Sequence, residues 1–131
     1  MSEQLLIIED NEQNYYMMRF LLEKHGYVVK VATNGKDGIA EAVQNPPDAI
    51  LLDIQLPEMD GYAVAAELIK VATLKNTPII AVTSYAMAGD REKILAAGAH
   101  GYMEKPINPE TFVQEIADHI SSFKSRSEIN K

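Results

Sequence analysis

Ala49-Ile50-Leu51-Leu52-Asp53 decides the fold: four consecutive apolar residues closed by a carboxylate. An unbroken apolar run this short fits a strand covered on both faces, as in a parallel sheet. A sheet with one wet face would alternate instead. Pro46-Pro47 ends whatever precedes the run, and Pro57 with Asp60-Gly61 marks a loop beyond it. Working outward, the pattern recurs. Leu5-Leu6-Ile7-Ile8 runs into Glu9-Asp10, Tyr27 to Ala32 reads as a second strand, and Pro78 to Val82 ends at Thr83-Ser84. A short fifth strand surrounds Tyr102 and is broken by Lys105-Pro106.

Amphipathic stretches separate these runs. Asn11 caps a helix predicted over 12–24, which Gly26 stops. An Asn34-Gly35 turn precedes a helix to about Gln44. Helices over 62–71 and 86–97 come next, the second stopped by Gly98. Asn108-Pro109-Glu110 supplies a cap, a first-turn proline and an acid for a last helix to about Phe123. Strands alternating with helices predict an α/β fold, a doubly wound five-stranded parallel sheet with five helices. One domain over 1–123 is expected, with 124–131 a polar tail whose Lys124, Arg126 and Lys131 form a solvated end.

Bulk properties narrow the function. A chain of 131 residues fits one domain, and 47% hydrophobic residues supply a core without covalent staples. The absence of cysteine excludes disulfides, thiolate nucleophiles and cysteine metal sites. No apolar run approaches the roughly 20 residues that span a bilayer, and Met1-Ser-Glu-Gln4 lacks the basic region of a signal peptide. A cytoplasmic protein with no membrane partner is expected. A net charge of −7 argues against direct nucleic-acid binding, which leaves a basic footprint.

In open parallel sheets ligands bind beyond the carboxyl ends of the strands, where strand order reverses. The residues there are Glu9, Asp10, Asp53, Thr83, Ser84 and Lys105. Three clustered carboxylates repel, and a hard divalent cation with oxygen ligands relieves the repulsion. Mg²⁺ suits such a site, and Mn²⁺ is compatible. Metal and lysine together neutralise a transferring phosphoryl group, and an aspartate can be its nucleophile. Singly, each motif has a bland explanation: an acidic loop, a turn aspartate, a Lys-Pro surface turn. Their joint placement at successive strand ends is what carries weight.

The chain resembles the receiver domain of two-component response regulators, a flavodoxin-like fold, over about residues 4–123. The resemblance rests on Glu9-Asp10, the stretch Asp53-Ile-Gln-Leu-Pro-Glu-Met-Asp-Gly61, Thr83-Ser84, and Tyr102 three residues before Lys105-Pro106. It implies that Asp53 accepts a phosphoryl group from a histidine kinase or phosphotransfer protein. It implies Mg²⁺ ligation by Asp10, Asp53 and the backbone carbonyl of Gln55, with Glu9 acting partly through water. Thr83 resembles the switch hydroxyl, Tyr102 the switch aromatic and Lys105 the phosphate-pairing lysine. Lys105-Pro106 resembles the family's cis peptide. Gln55 and Tyr85 occupy the positions that tune phosphoryl lifetime; neither is acidic, so slow self-dephosphorylation is expected. Such a protein assists its own phosphorylation and is no turnover enzyme; its output is a change in affinity for a protein target.

On the first helix, Tyr16 and Phe20 fall opposite the face shared by Met17, Met18, Leu21 and Leu22. As an exposed pair they are either lone surface aromatics or the docking patch for the phosphodonor. His25, His100 and His119 lack metal-ligand spacing and read as structural or exposed. Three other readings compete. A phosphorelay intermediate or a receiver cut from a hybrid kinase shares the site, though Met1 and the short tail suggest a free-standing protein. A small aspartyl-phosphate phosphohydrolase would want a second acid two residues after its nucleophile and a cap insertion. A flavodoxin-like redox module would want a phosphate loop after the first strand, where Glu9-Asp10-Asn11-Glu12 would repel phosphate.

Overall fold

The computed structural model describes residues 3–56, 59–84 and 88–129. Five strands, β1 (Gln4–Ile8), β2 (Val28–Ala32), β3 (Ala49–Asp53), β4 (Ile79–Thr83) and β5 (Gly101–Glu104), form one parallel sheet in the order β2-β1-β3-β4-β5. Helices α1 (Glu12–Lys24), α2 (Gly35–Gln44), α3 (Gly61–Leu68), α4 (Ala88–Ala97) and α5 (Phe112–Ile129) cover it. The doubly wound five-stranded architecture expected from the sequence is therefore the observed one.

The apolar strands are explained by burial on both faces. Leu6, Ile8, Ile50, Leu52, Ile79 and Ala81 pack with Val64, Leu68 and Ile94 from α3 and α4. Their neighbours Leu5, Ile7, Ala49, Leu51, Ile80 and Val82 pack with Met18 and Leu22 of α1 and Phe112 and Ile116 of α5. Alternate residues thus serve opposite half-cores, so β3 and β4, and β1 after Gln4, carry no polar side chain until their carboxyl ends, whereas the edge strand β2 exposes Lys30. Strand order reverses between β1 and β3, which places the open crevice beside the ends of those two strands.

Several local expectations need correction. Asn34-Gly35 is not a turn before α2: the Asn34 side chain caps the helix, its Oδ1 accepting the Asp37 N–H at 2.8 Å. Asp60-Gly61 is likewise the start of α3, with Asp60 Oδ1 accepting the Ala63 N–H at 2.9 Å. α3 ends at Leu68 rather than Val71, because Val71 is extended and a 3-10 turn at Ala72–Leu74 carries Leu74 into the core. Residues 124–129 are not a loose tail but continue α5. Phe123 packs edge-on against His100 at 4.7 Å, Lys124 pairs with Glu3 at 3.6 Å, and Arg126 donates to the His100 carbonyl at 3.4 Å. Those partners give the added turns something to hold. Asn11 caps α1 and Gly26, at φ +94°, ends it, as the sequence predicts.

Candidate functional site

The parallel ladder runs one residue past the strand ends and fixes the backbones of the site. The Glu9 N–H donates to Ala32 O at 3.0 Å, and the Lys105 N–H donates to Thr83 O at 2.8 Å. Counting from the strand pattern, Glu9, Asp53 and Lys105 continue the parity of Ile7, Leu51 and Met103, so they emerge on the same side of the sheet. Three residues distant in sequence meet because three strands end together.

Lys105 Nζ bridges the two buried acids. It lies 3.0 Å from Glu9 Oε1 and 3.2 Å from Asp53 Oδ1. The Lys105–Pro106 peptide is cis. Asp53, only 3% exposed, also accepts the Gln55 N–H at 3.0 Å on Oδ1. Glu9 Oε2 accepts the Asn11 N–H at 3.2 Å. Burial, followed by a hydrogen bond shared with Asp53, pushes the Glu9 carboxyl up to about 7 against the pull of Lys105. Burial alone would lower the Lys105 ammonium; its bonds to Glu9 and the charge of Asp53 overcome this and hold it above the ordinary range.

Asp10 is exposed at the rim, and one carboxylate oxygen from each of Glu9, Asp10 and Asp53 lies within 4.8 Å of the others. Three carboxylates against one ammonium leave a formal excess of two negative charges when all are ionised. Glu9 Oε1 is buried and, although close to Lys105, accepts no well-directed hydrogen bond. The donor set is all oxygen, dinegative in sum and includes an unsatisfied acceptor. A hard divalent cation fits it.

The remaining residues surround this centre. Thr83 is fully buried at the end of β4. Ser84 is exposed, and both its hydroxyl, at 2.5 Å, and its N–H, at 3.4 Å, donate to Gln55 Oε1. Nothing in the sequence signals that contact. The Tyr102 hydroxyl donates to Glu104 at 2.9 Å, and the Arg91 guanidinium lies 5.9 Å from the ring. On α1, Tyr16 is 69% and Phe20 49% exposed; with Arg19, Glu23 and Lys24 they line a cleft of about 520 Å³. Tyr85 lies outside the described residues. Two of the histidines have structural roles: His25 caps the end of α1, and His100 Nδ1 accepts the Ile79 N–H at 2.9 Å.

Residues 5–117 match the response regulator receiver domain family. The chain is a response regulator receiver domain. It is 39% identical over 120 residues to the polar-differentiation response regulator DivK of Brucella anthropi, which covers 92% of this chain and 98% of that protein. The receiver domain protein of Methanospirillum hungatei superposes with a TM-score of 0.86 at 27% identity, over 96% of this chain and 99% of that one. The receiver domain of a Pseudomonas aeruginosa sensor histidine kinase, 32% identical with a TM-score of 0.84, covers 92% of this chain and 99% of its own. That domain was solved with a magnesium ion coordinated in its active site cleft. As a receiver domain this protein belongs to two-component signalling, in which receivers meet histidine kinases and downstream targets. Membership leaves the phosphohydrolase and redox-module readings without support. Among the described residues no helix is long and apolar enough to cross a membrane.

Proposed function

We propose that Asp53 takes a phosphoryl group from a phosphohistidine on a histidine kinase or phosphotransfer protein, and that the phosphoryl group changes this chain's affinity for a protein target. The observation that carries this is the convergence of Glu9, Asp10, Asp53 and Lys105 at one strand-end crevice of a receiver domain. A carboxylate oxygen of Asp53 attacks phosphorus. The P–O bond forms as the P–N bond to the donor imidazole breaks, and that imidazole keeps the electron pair and takes up a proton. Lys105, already beside Asp53, pairs with a phosphoryl oxygen. Glu9, Asp10, Asp53 and the Gln55 carbonyl would hold Mg²⁺, or Mn²⁺ in its place, and the ion would supply the charge neutralisation the transfer needs.

Thr83, at the end of β4, supplies the hydroxyl that answers the modified Asp53, with Ser84 next to it, and Tyr102 is the aromatic that reorients in response. Tyr16 and Phe20 form the donor's docking patch, which their exposure beside a cleft supports. The protein is a stoichiometric acceptor in the cytoplasm and acts on no external substrate. Neither Gln55 nor Tyr85 is an acid that could orient a hydrolytic water, and a tyrosine is bulky enough to shield an acyl phosphate, so the phosphoryl group is long-lived. Tyr85→Ala shortens its half-life; an unchanged half-life would rule that role out. Incubation with acetyl phosphate and Mg²⁺ should add one phosphoryl group to the parent and none to Asp53→Asn. Equal labelling of both would overturn the proposal.

A further inference from the structure

Arg91 and Arg126 face one cleft with no carboxylate to answer them. The cleft, of about 430 Å³, lies across the edge strand β5. Arg91 comes from α4, Tyr102 from β5, and His119, Ser122 and Arg126 from α5, while His100 directly precedes β5. The charged residues lining it are both arginines, in a chain whose net charge is −7. Arg19 pairs with Glu23, but among the described residues neither Arg91 nor Arg126 has an ion-pair partner. Glu104 meets the Tyr102 hydroxyl at 2.9 Å and does not line the cleft.

Both guanidiniums are held by groups that leave their charge intact. Arg91 lies 5.9 Å from the centre of the Tyr102 ring, whose face attracts a cation. Arg126 donates from Nε to the Ser122 carbonyl and from Nη2 to the His100 carbonyl, each at 3.4 Å. A guanidinium has more N–H donors than these two contacts use, so Arg126 keeps a share for a ligand. Burial lowers the His100 imidazole, and Arg126 lowers it further. Burial also lowers His119; Glu115 and Asp118 oppose this and Arg126 adds to it. Both imidazoles can thus offer an N–H without adding to the repulsion. Two unpaired like charges on one cleft mirror the carboxylates at the strand ends: a cation relieves the repulsion there, and an anion relieves it here. A carboxylate suits one guanidinium fork. A phosphoryl group presents more oxygens and roughly two charges, enough to engage both forks and the Ser122 hydroxyl together. The volume falls in the range of small-molecule sites, roughly 300–1,000 Å³, and Leu95, 41% exposed, supplies an apolar wall.

We propose that this cleft binds a small phosphate-bearing ligand, a phosphate ester or free pyrophosphate, held by Arg91 and Arg126. It shares no residue with the acidic strand-end crevice and does not depend on Asp53. The full chain is titrated with pyrophosphate, AMP and adenosine in EDTA, which keeps metal out of the acidic crevice, and followed by ¹H–¹⁵N correlation spectra. Pyrophosphate and AMP should shift the amides of Arg91, Gly101, Tyr102, Ser122 and Arg126, and adenosine should not. Tighter binding of AMP identifies an ester whose organic part lies against Leu95; tighter binding of pyrophosphate identifies the free anion. Arg91→Gln and Arg126→Gln should each weaken binding about tenfold or more, the worth of one charge-assisted hydrogen bond, with the spectrum elsewhere unchanged. Arg19→Gln removes the same charge from α1 and should bind like the parent, which a mere effect of net charge would not give. No shifts at millimolar ligand, or shifts that survive both variants in the cleft, overturn the assignment. A cleft that takes a glutamate-rich peptide and neither phosphate overturns it as well.

Discussion

Replacing Glu9 with glutamine should stabilise the metal-free protein, and by more as the pH rises. Glu9 is 1% exposed, and its carboxyl is pushed from 4.5 to about 7 by burial and by the proton shared with Asp53. A carboxyl with a raised folded-state value binds its proton more tightly folded than unfolded. Its contribution is intact at low pH and is lost as the pH climbs through the folded value. A shift from 4.5 to about 7 corresponds to about 3.5 kcal/mol at about 1.4 kcal/mol per unit, and roughly 2.5 kcal/mol of it develops between about pH 5 and pH 8. Glutamine keeps the shape, never ionises and removes that loss. For a chain this long each kcal/mol moves Tm by roughly 3–6 °C. The gap in Tm between Glu9→Gln and the parent, both in EDTA, should therefore widen by roughly 10 °C across that range. Mg²⁺ should raise the Tm of the parent more than that of the variant, because only the parent offers the third carboxylate. Taking the difference between the proteins cancels the histidines, whose slopes have the opposite sign. A gap that stays constant with pH would refute the assignment of Glu9 as a buried acid held against its preference.

Other contacts carry consequences of their own. A Cβ on Gly61 would lie 2.6 Å from the Asp53 carbonyl oxygen, so Gly61→Ala should cost about 2 kcal/mol or more in urea unfolding and slow acetyl phosphate labelling of Asp53; a loss under about 0.5 kcal/mol would contradict the tight approach. Burial first and Arg126 second lower the His100 value, and its Nδ1 must stay unprotonated to accept the Ile79 N–H. Stability tied to His100 is thus present above the unfolded histidine value of about 6.5 and lost as pH falls toward the lower folded value. His100→Asn should flatten the fall in urea midpoint between about pH 7 and pH 5.5, and an unchanged slope would count against it. Tyr16→Ala combined with Phe20→Ala should slow transfer from a phosphohistidine donor far more than labelling by acetyl phosphate; parallel losses would place the defect at Asp53 rather than at docking.

The fold was legible because doubly covered strands write themselves as unbroken apolar runs. Leu5–Ile8 and Ala49–Leu52 could hardly be read otherwise. The site was legible for a related reason: Glu9 and Asp53 are the first charges after those runs, Lys105 follows directly on β5, and parallel strands bring their ends to one edge. The features that stayed hidden depend on contacts across long stretches of sequence or on shared local chemistry. Asn34 and Asp60 looked like turn residues, since a cap and a turn use the same side chains and differ only in whether the next residues stay helical. The last turns of α5 looked like a tail because the partners of Phe123, Lys124 and Arg126 lie at His100 and Glu3. The Gln55–Ser84 contact links two ordinary polar residues, and only the folded chain shows that they meet.

Borohydride reduction tests the central claim most directly, because it converts an aspartyl phosphate to homoserine and records where the phosphoryl group sat. The protein is treated with acetyl phosphate, reduced, digested and sequenced by mass spectrometry. Homoserine at position 53, formed in Mg²⁺ and not in EDTA, is the predicted result. Homoserine at Asp10, Asp48 or Asp60 instead, or none at position 53 with Mg²⁺ present, would contradict it.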